Sequence, residues 1–147
     1  MIQEVNKINQ IIDEIQYLIS SHSIEEFETK PSNLAWSKKE IIGHLIDSAL
    51  NNIQRFTEIQ YSEKPYQIRK YNQDALVKVN NYHNKDILDL FQLWFQLNKQ
   101  ISFIIQNQTQ KTLEYALILP DGQTKNLRFL IIDYVDHLEH HLNQIKS

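Results

Sequence analysis

Apolar residues recur at helical spacing through most of this chain. Near its start they follow one another at intervals of three or four: Val5, Ile8, Ile12, Ile15 and Ile19. That spacing places them on one face of a helix. The chain has only two glycines and three prolines, so few positions interrupt such segments. The pattern predicts a first helix over residues 2–20 and then a loop that reaches Trp36.

The second predicted helix has a clear start. Ser37-Lys38-Lys39-Glu40 matches a capping box, in which the Ser37 hydroxyl accepts from the Glu40 amide and the Glu40 carboxylate accepts from the Ser37 amide. Trp36 precedes the cap and can pack on Ile41 as a hydrophobic staple. We expect this helix to continue to about residue 59.

The remaining helices follow from similar signals. Asn72 is placed to cap a short helix over 73–80, and Asp86 opens an apolar-periodic segment that reaches about Gln106. Residues 112–124 differ, because an apolar run leads into the turn signal Pro120-Asp121-Gly122. A small β-hairpin and a plain loop both fit this stretch. Thr124 is the expected cap of a last helix over about 125–145.

Four long amphipathic helices in 147 residues predict an all-α fold, a four-helix bundle. No repeat or linker divides the chain, so we expect one domain over residues 1–147. The two middle connections are long, and the topology therefore need not be a simple up-down-up-down order.

Composition excludes several classes of function. The net charge is −3 and no basic stripe occurs, so nothing favours nucleic-acid binding. The absence of cysteine excludes disulfides, thiolate nucleophiles and Cys-based metal sites. Neither a signal peptide nor a membrane-spanning run is evident, and we expect a cytoplasmic protein that does not bind membranes.

The last predicted helix carries three of the six histidines, His137, His140 and His141. At about 100° per residue, His137 and His141 lie on the apolar side, and His140 lies on the polar side. Residues at i and i+4 are neighbours on a helix, so His137 and His141 could reach the same metal ion.

A third nitrogen could come from His44 on the second helix, at the edge of its apolar face and in line with Ser48 and Arg55. Asp47 could then accept a hydrogen bond from a ligating imidazole and orient it. Each histidine also has an ordinary interpretation: an HxxxH pair can be incidental, and His44 could be a hydrogen-bonded residue of the polar face.

Three neutral histidines leave a fourth position open on zinc or a similar ion, as in catalytic sites. Water in that position can have its pKa lowered to about 7, which gives hydroxide for hydrolysis. The same position could hold and deprotonate a small thiol. The residues alone do not choose between these two chemistries, and they supply no separate catalytic group.

Two segments resemble the DinB/YfiT-like family of bacterial proteins. Residues 36–47 match its W-S-x-x-E-x-x-x-H-L-x-D pattern, and residues 134–145 match its Y-x-x-H-x-x-x-H-x-x-Q-[IL] ending. Between them, residues 71–74 (Tyr-Asn-Gln-Asp) resemble the family's linker segment. The resemblance extends over about residues 5–146.

This resemblance implies an up-down-down-up bundle, often a homodimer, that binds nickel, zinc or manganese. The family's ligand positions correspond to His44, His137 and His141, and His140 has no counterpart. Characterised relatives include S-transferases and isomerases that use thiols such as bacillithiol or mycothiol, and others are described as metal-dependent hydrolases.

We therefore expect a metal-dependent enzyme that transfers a low-molecular-weight thiol to a small electrophile. Hydrolysis by metal-bound hydroxide is the first alternative. A non-catalytic helical bundle that works through a binding partner is the second.

Overall fold

A computed structural model describes all residues from Met1 to Ser147. Its α-helices are α1 (Ile2–Ser21), α2 (Ile24–Glu28), α3 (Lys38–Glu58), α4 (Gln73–Val79), α5 (Ile87–Gln106), α6 (Gln110–Leu113) and α7 (Leu127–Lys146). Its strands are β1 (Tyr66–Gln67), β2 (Ala116–Ile118) and β3 (Thr124–Asn126), and a 3-10 turn spans Tyr82–Asn84. The four long helices α1, α3, α5 and α7 form the predicted four-helix bundle.

Helices that follow one another in the chain are not always neighbours in the bundle. Both α1 and α3 pack against α5 and α7. The first two long helices, α1 and α3, therefore lie on a diagonal. The connection between α1 and α3 is long and contains α2.

Contacts between the helices give their directions. Lys7 pairs with Glu139, and Glu14 pairs with Lys146, so α1 and α7 run parallel. The start of α1 lines a groove with the C-terminal half of α5, so those two are antiparallel. His44 faces His141, whereas residue 56 further along α3 faces residue 134, so α3 and α7 are antiparallel. The order is up-down-down-up, as expected.

Local side-chain caps start the helices where the sequence predicted. The Ser37 hydroxyl accepts from the Glu40 amide at 3.2 Å, and the Glu40 carboxylate accepts from the Ser37 amide at 3.0 Å. Asn72 caps α4 through the Ala75 amide, and Asp86 caps α5. These signals are local in sequence, so tertiary packing does not change them.

Three features differ from the sequence prediction. The short helix α2 lies within the predicted loop and buries Phe27. The hairpin of β2 and β3 forms, and β1 joins it in parallel as a third strand. Thr124 does not cap the last helix, because it lies in β3 and pairs with Ile118 of β2. Asn126 caps α7 instead, and its side chain accepts a hydrogen bond from the Phe129 amide.

One hydrophobic core of 32 buried residues joins all four long helices. The 3-10 turn closes over α3 at Gly43, where a Cβ atom would overlap the ring of Tyr82. Glycine at this position therefore lets the segment after α4 lie directly on α3, next to His44. None of the helices combines the length and the apolar character that crossing a membrane requires.

Candidate metal centre

Three histidines from two helices meet at the α3–α7 seam. The Nε2 atom of His137 lies 3.1 Å from that of His44 and 3.0 Å from that of His141. One nitrogen from each ring falls within 4.8 Å of both others. We call these three residues the histidine triad.

The structure agrees with the predicted helical phase of α7. His141 is buried, His137 is partly buried and His140 is exposed. His140 stacks edgewise on His141 but does not join the triad. The angular spacing of one helix was therefore sufficient to separate the two inward histidines from the outward one.

The Nδ1 atoms of the two α7 histidines point away from the centre of the triad. His141 Nδ1 lies 2.7 Å from Gln144 Oε1, and His137 Nδ1 lies 3.5 Å from the Ser48 hydroxyl. When Nδ1–H donates to these oxygen atoms, each Nε2 carries a lone pair directed at the centre. This is the tautomer that a metal-ligating imidazole uses.

Electrostatics keeps the triad neutral. Burial, and then the nearby rings of His141 and His137, lowers the pKa of His44 to about 3. Burial, followed by His141 and His140, lowers the pKa of His137 to about 4. The pKa of His141 is lowered by burial as well. Neutral imidazoles are the form that binds a metal ion, so no proton has to leave at neutral pH.

One wall of the triad is aromatic. The ring of Trp36 packs on that of His44, with 4.9 Å between the ring centroids. His44 is only 1% exposed, and its Nδ1 atom has no hydrogen-bond partner. The Nδ1 atom of His44 is therefore the one buried triad nitrogen that the protein's own hydrogen bonds leave unsatisfied.

The residues present fit a divalent ion. Ligand atoms of a tetrahedral ion with bonds of about 2.0–2.1 Å to nitrogen lie about 3.3 Å apart. The Nε2 atoms of the triad are separated by 3.0 Å and 3.1 Å before any adjustment. No fourth histidine, aspartate or glutamate belongs to the group. Three nitrogen ligands with an open position are typical of a catalytic site rather than a structural one.

Asp47 does not take the position expected of it. Its Oδ1 atom accepts from the Tyr82 hydroxyl at 2.6 Å and from the Asn80 amide at 3.3 Å. It makes no hydrogen bond to His44. The reason is angular: three residues rotate the side chain by about 60° around α3, toward the segment after α4. This corrects the expectation that Asp47 orients a ligating imidazole.

Sequence reasoning missed the two residues that do contact the triad's Nδ1 atoms. The sequence marks Gln144 only as the glutamine of the family's ending, and Ser48 only as a residue in line with His44. Its spacing could have identified Gln144, because side chains at positions i and i+3 of a helix are neighbours and Gln144 is three residues after His141. No signal within α3 could have paired Ser48 with a histidine 89 residues away.

Comparison with known proteins identifies similar sequences and folds. A sequence profile of the DinB superfamily matches residues 8–145. No curated protein matches the chain significantly.

Two solved structures share the fold. YfiT from Bacillus subtilis, described as a probable metal-dependent hydrolase with an unusual four-helix bundle topology, aligns with a TM-score of 0.86 at 18% identity, over 98% of this chain and 82% of its own. A mycothiol-dependent maleylpyruvate isomerase aligns with a TM-score of 0.73 at 9% identity. That alignment covers 99% of this chain but only 60% of the isomerase.

Proposed function

This chain belongs to the DinB superfamily, and we propose that it is a metal-dependent enzyme whose divalent ion is held by His44, His137 and His141. Nickel, zinc and manganese are the ions to test. One observation carries the proposal: three buried or half-buried imidazoles bring one nitrogen each within 4.8 Å of both others, and no fourth histidine, aspartate or glutamate belongs to the group.

We propose that the reaction transfers a low-molecular-weight thiol to a small electrophile. A divalent ion supplies Lewis-acid chemistry, which lowers the pKa of a thiol or of water at its open position. Support for the thiol comes from the isomerase of the same fold, which is mycothiol-dependent. Support for water as the nucleophile, the second candidate, comes from YfiT, a probable metal-dependent hydrolase.

The chain's own residues position the site in either case. Gln144 and Ser48 hold two of the imidazoles through Nδ1, so their Nε2 lone pairs stay aligned. Trp36 covers His44 and excludes water from that side. His137 is the most accessible of the three rings, and a small molecule would approach the site beside it. One domain over residues 1–147, a homodimer and a cytoplasmic location remain predictions.

Metal content is the first test. Purified, untagged protein should contain nearly one equivalent of a divalent ion by mass spectrometry, and His44→Ala should lose it. His22→Ala is the matched control, because His22 bonds the Leu18 carbonyl and does not belong to the triad, so this variant should keep the ion. Wild-type protein that contains no metal and also refuses added zinc, nickel and manganese would contradict the proposal and favour a non-catalytic binding protein.

A cobalt-substituted sample separates the two chemistries. If the site takes a thiol, adding mercaptoethanol should produce a sulfur-to-cobalt charge-transfer band in wild-type protein and none in His44→Ala. Loaded protein that shows no such band, yet cleaves small esters in a metal-dependent way, would favour hydrolysis.

A further inference from the structure

The polar seam between α3 and α7 continues beyond the histidine triad. Arg55 lies on the same line of α3 as His44 and Ser48. Asp133 lies one turn before His137 on α7, and its charge acts on Arg55. Because α3 and α7 are antiparallel, Arg55, which follows His44 on α3, and Asp133, which precedes His137 on α7, lie at the same end of the triad.

A cleft of about 790 Å³ opens at this end of the seam. Tyr71 and Asp74, from the segment that resembles the family's linker, form part of its wall. Asp74 also lines a second cleft, which contains Trp36, the residue that covers His44. Asp133 thus places the large cleft one helical turn from His137 on α7, and Asp74 is shared with the cleft that contains Trp36.

Arg55 is the fixed charge of this cleft. Its guanidinium donates to the Arg69 carbonyl at 2.6 Å and lies 5.4 Å from the centre of the Tyr71 ring. It forms no ion pair with any carboxylate. Arg55 is half-buried, and this burial lowers the pKa of the guanidinium. A half-buried arginine with free N–H donors is suited to bind an oxyanion from a ligand.

We infer that this cleft binds the carboxylate of a small organic acid, with Arg55 as its anchor, and that the other end of the same molecule reaches the triad. The inference rests on the proposed function for the reacting end only. It narrows the substrate class from any small thiol or electrophile to one that carries a carboxylate.

The other residues of the cleft favour a single carboxylate over a phosphate or a dianion. Lys70 adds a second positive charge, but Asp74 and Asp133 balance it, so the four charged side chains sum to zero. A polyanion would meet repulsion from the two aspartates. The cleft also has apolar walls, formed by Ile68, Leu119, Pro120 and Leu130. These suit the hydrocarbon part of an organic acid.

The spacing sets the length of the ligand. Asp133 and His137 are four residues apart, which corresponds to about 6 Å along α7. His141 adds about another 6 Å, and the centre of the triad lies between the two histidines. Along α3, Arg55 is eleven residues from His44, which corresponds to about 16 Å. A molecule with its carboxylate at Arg55 and its reacting atom at the triad must therefore extend over at least about 9 Å, the length that a six-carbon mercapto acid provides.

The first experiment uses metal-free protein, with hexanoate and hexanol as probes. NMR shifts of the Tyr71, Leu119 and Leu130 amides should report hexanoate binding at least tenfold tighter than hexanol, because only the carboxylate can pair with Arg55. Equal affinity for hexanoate and hexanol in wild-type protein would overturn the inference without any variant. Inorganic phosphate that binds more tightly than hexanoate would overturn the monocarboxylate class.

Variants locate the binding. Arg55→Gln should weaken hexanoate at least tenfold and leave hexanol unchanged. Arg55→Lys keeps the charge without the planar fork and should lose part of the affinity. The matched control is Arg69→Gln, since the Arg69 side chain is exposed and lies outside the cleft. Equal loss in the Arg69 variant would mean that general electrostatics, and not Arg55, attracts the anion.

A second experiment tests the connection to the triad and separates the two proposals. In zinc-loaded protein, mercaptohexanoate should bind at least tenfold tighter than hexanoate, and His137→Ala should abolish that gain. Hexanoate binding that depends on Arg55 in a protein that never takes zinc would contradict the proposed function but leave the carboxylate cleft intact. Normal zinc loading with no gain from the thiol would overturn the link between cleft and triad.

Discussion

Two buried polar residues on α3, His44 and Asp47, lie less than one turn apart and have opposite surroundings. His44 is 1% exposed and Asp47 is 3% exposed. Asp47 Oδ1 accepts hydrogen bonds from Tyr82 and Asn80, whereas its Oδ2 atom, like His44 Nδ1, has no partner. His44 instead faces two more imidazoles, and its Nε2 atom lies 3.1 Å from that of His137.

The difference teaches how to separate a structural polar cluster from a ligand site. Burying a polar group costs free energy unless the group is hydrogen-bonded. The Asp47 cluster offsets part of that cost through Oδ1, although Oδ2 has no partner, and it ties the segment after α4 to α3. The triad holds three groups of the same kind at one point, an arrangement that an added cation would complete. Four experiments test whether the triad binds a metal ion and whether the Asp47 cluster stabilises the fold.

The largest expected effect concerns stabilisation by metal. Zinc at about a thousand times its dissociation constant stabilises the folded state by about 4 kcal/mol. In His137→Ala this shift of the denaturation midpoint should disappear, because two nitrogens remain of three. His140→Ala should retain it, since His140 is exposed and outside the triad. Equal loss in both variants would show that His140 is a ligand and that the triad is not the complete site.

Tyr82→Phe tests the other side of the comparison. It removes the 2.6 Å hydrogen bond to Asp47 and leaves a buried carboxylate with only Asn80. We expect the free energy of unfolding to fall by about 2 kcal/mol in a urea titration. Stabilisation by zinc should stay at its wild-type value, because neither residue touches the triad. Weaker zinc binding in this variant would mean that the Asp47 cluster also positions His44.

Gln144→Ala should lower the affinity for the metal ion and leave the stability of the fold almost unchanged. Gln144 holds His141 through Nδ1 at 2.7 Å, and loss of such a partner typically lowers metal affinity by about tenfold or more. Asn143→Ala is the matched control, an exposed neighbour on the same helix. Competition with a zinc chelator measures both affinities. The same affinity in the two variants would show that the Gln144 contact does not orient the ring.

The smallest effect is a pH dependence at Asp47. Burial raises the pKa of this carboxyl group, and the hydrogen bonds from Tyr82 and Asn80 only partly oppose the shift. The folded state therefore keeps the proton at a pH where the unfolded chain has lost it. This contribution stabilises the folded state fully below the pKa that Asp47 has in the unfolded chain. It is lost as the pH rises through the pKa that Asp47 has in the folded protein. Asp47→Asn should remove this pH-dependent contribution. The difference in unfolding free energy between variant and wild type should therefore change between the two pKa values of Asp47. A difference that is constant with pH would contradict the raised pKa.

Much of the fold follows from local signals that the structure confirms. Ser37, Asn72 and Asp86 cap helices at the expected places, because a cap needs only amides two or three residues further along. The third strand was not predicted, because Tyr66 pairs with Leu117, some fifty residues away. Asn126 took the capping role expected of Thr124 because strand pairing holds residue 124 in extended backbone.

The inward-facing histidines of α7 can be predicted from the amino-acid sequence alone. A helix turns by a constant angle per residue, and that angle separates His137 and His141 from His140. The match of residues 36–47 to the W-S-x-x-E-x-x-x-H-L-x-D pattern also identified His44 as a candidate ligand. Only the tertiary structure decided that His44 meets that pair across 93 residues and that Asp47 turns to Tyr82 instead. It also placed Arg55 unpaired in a cleft beside them. These are contacts between elements distant in the chain, and packing in three dimensions sets them.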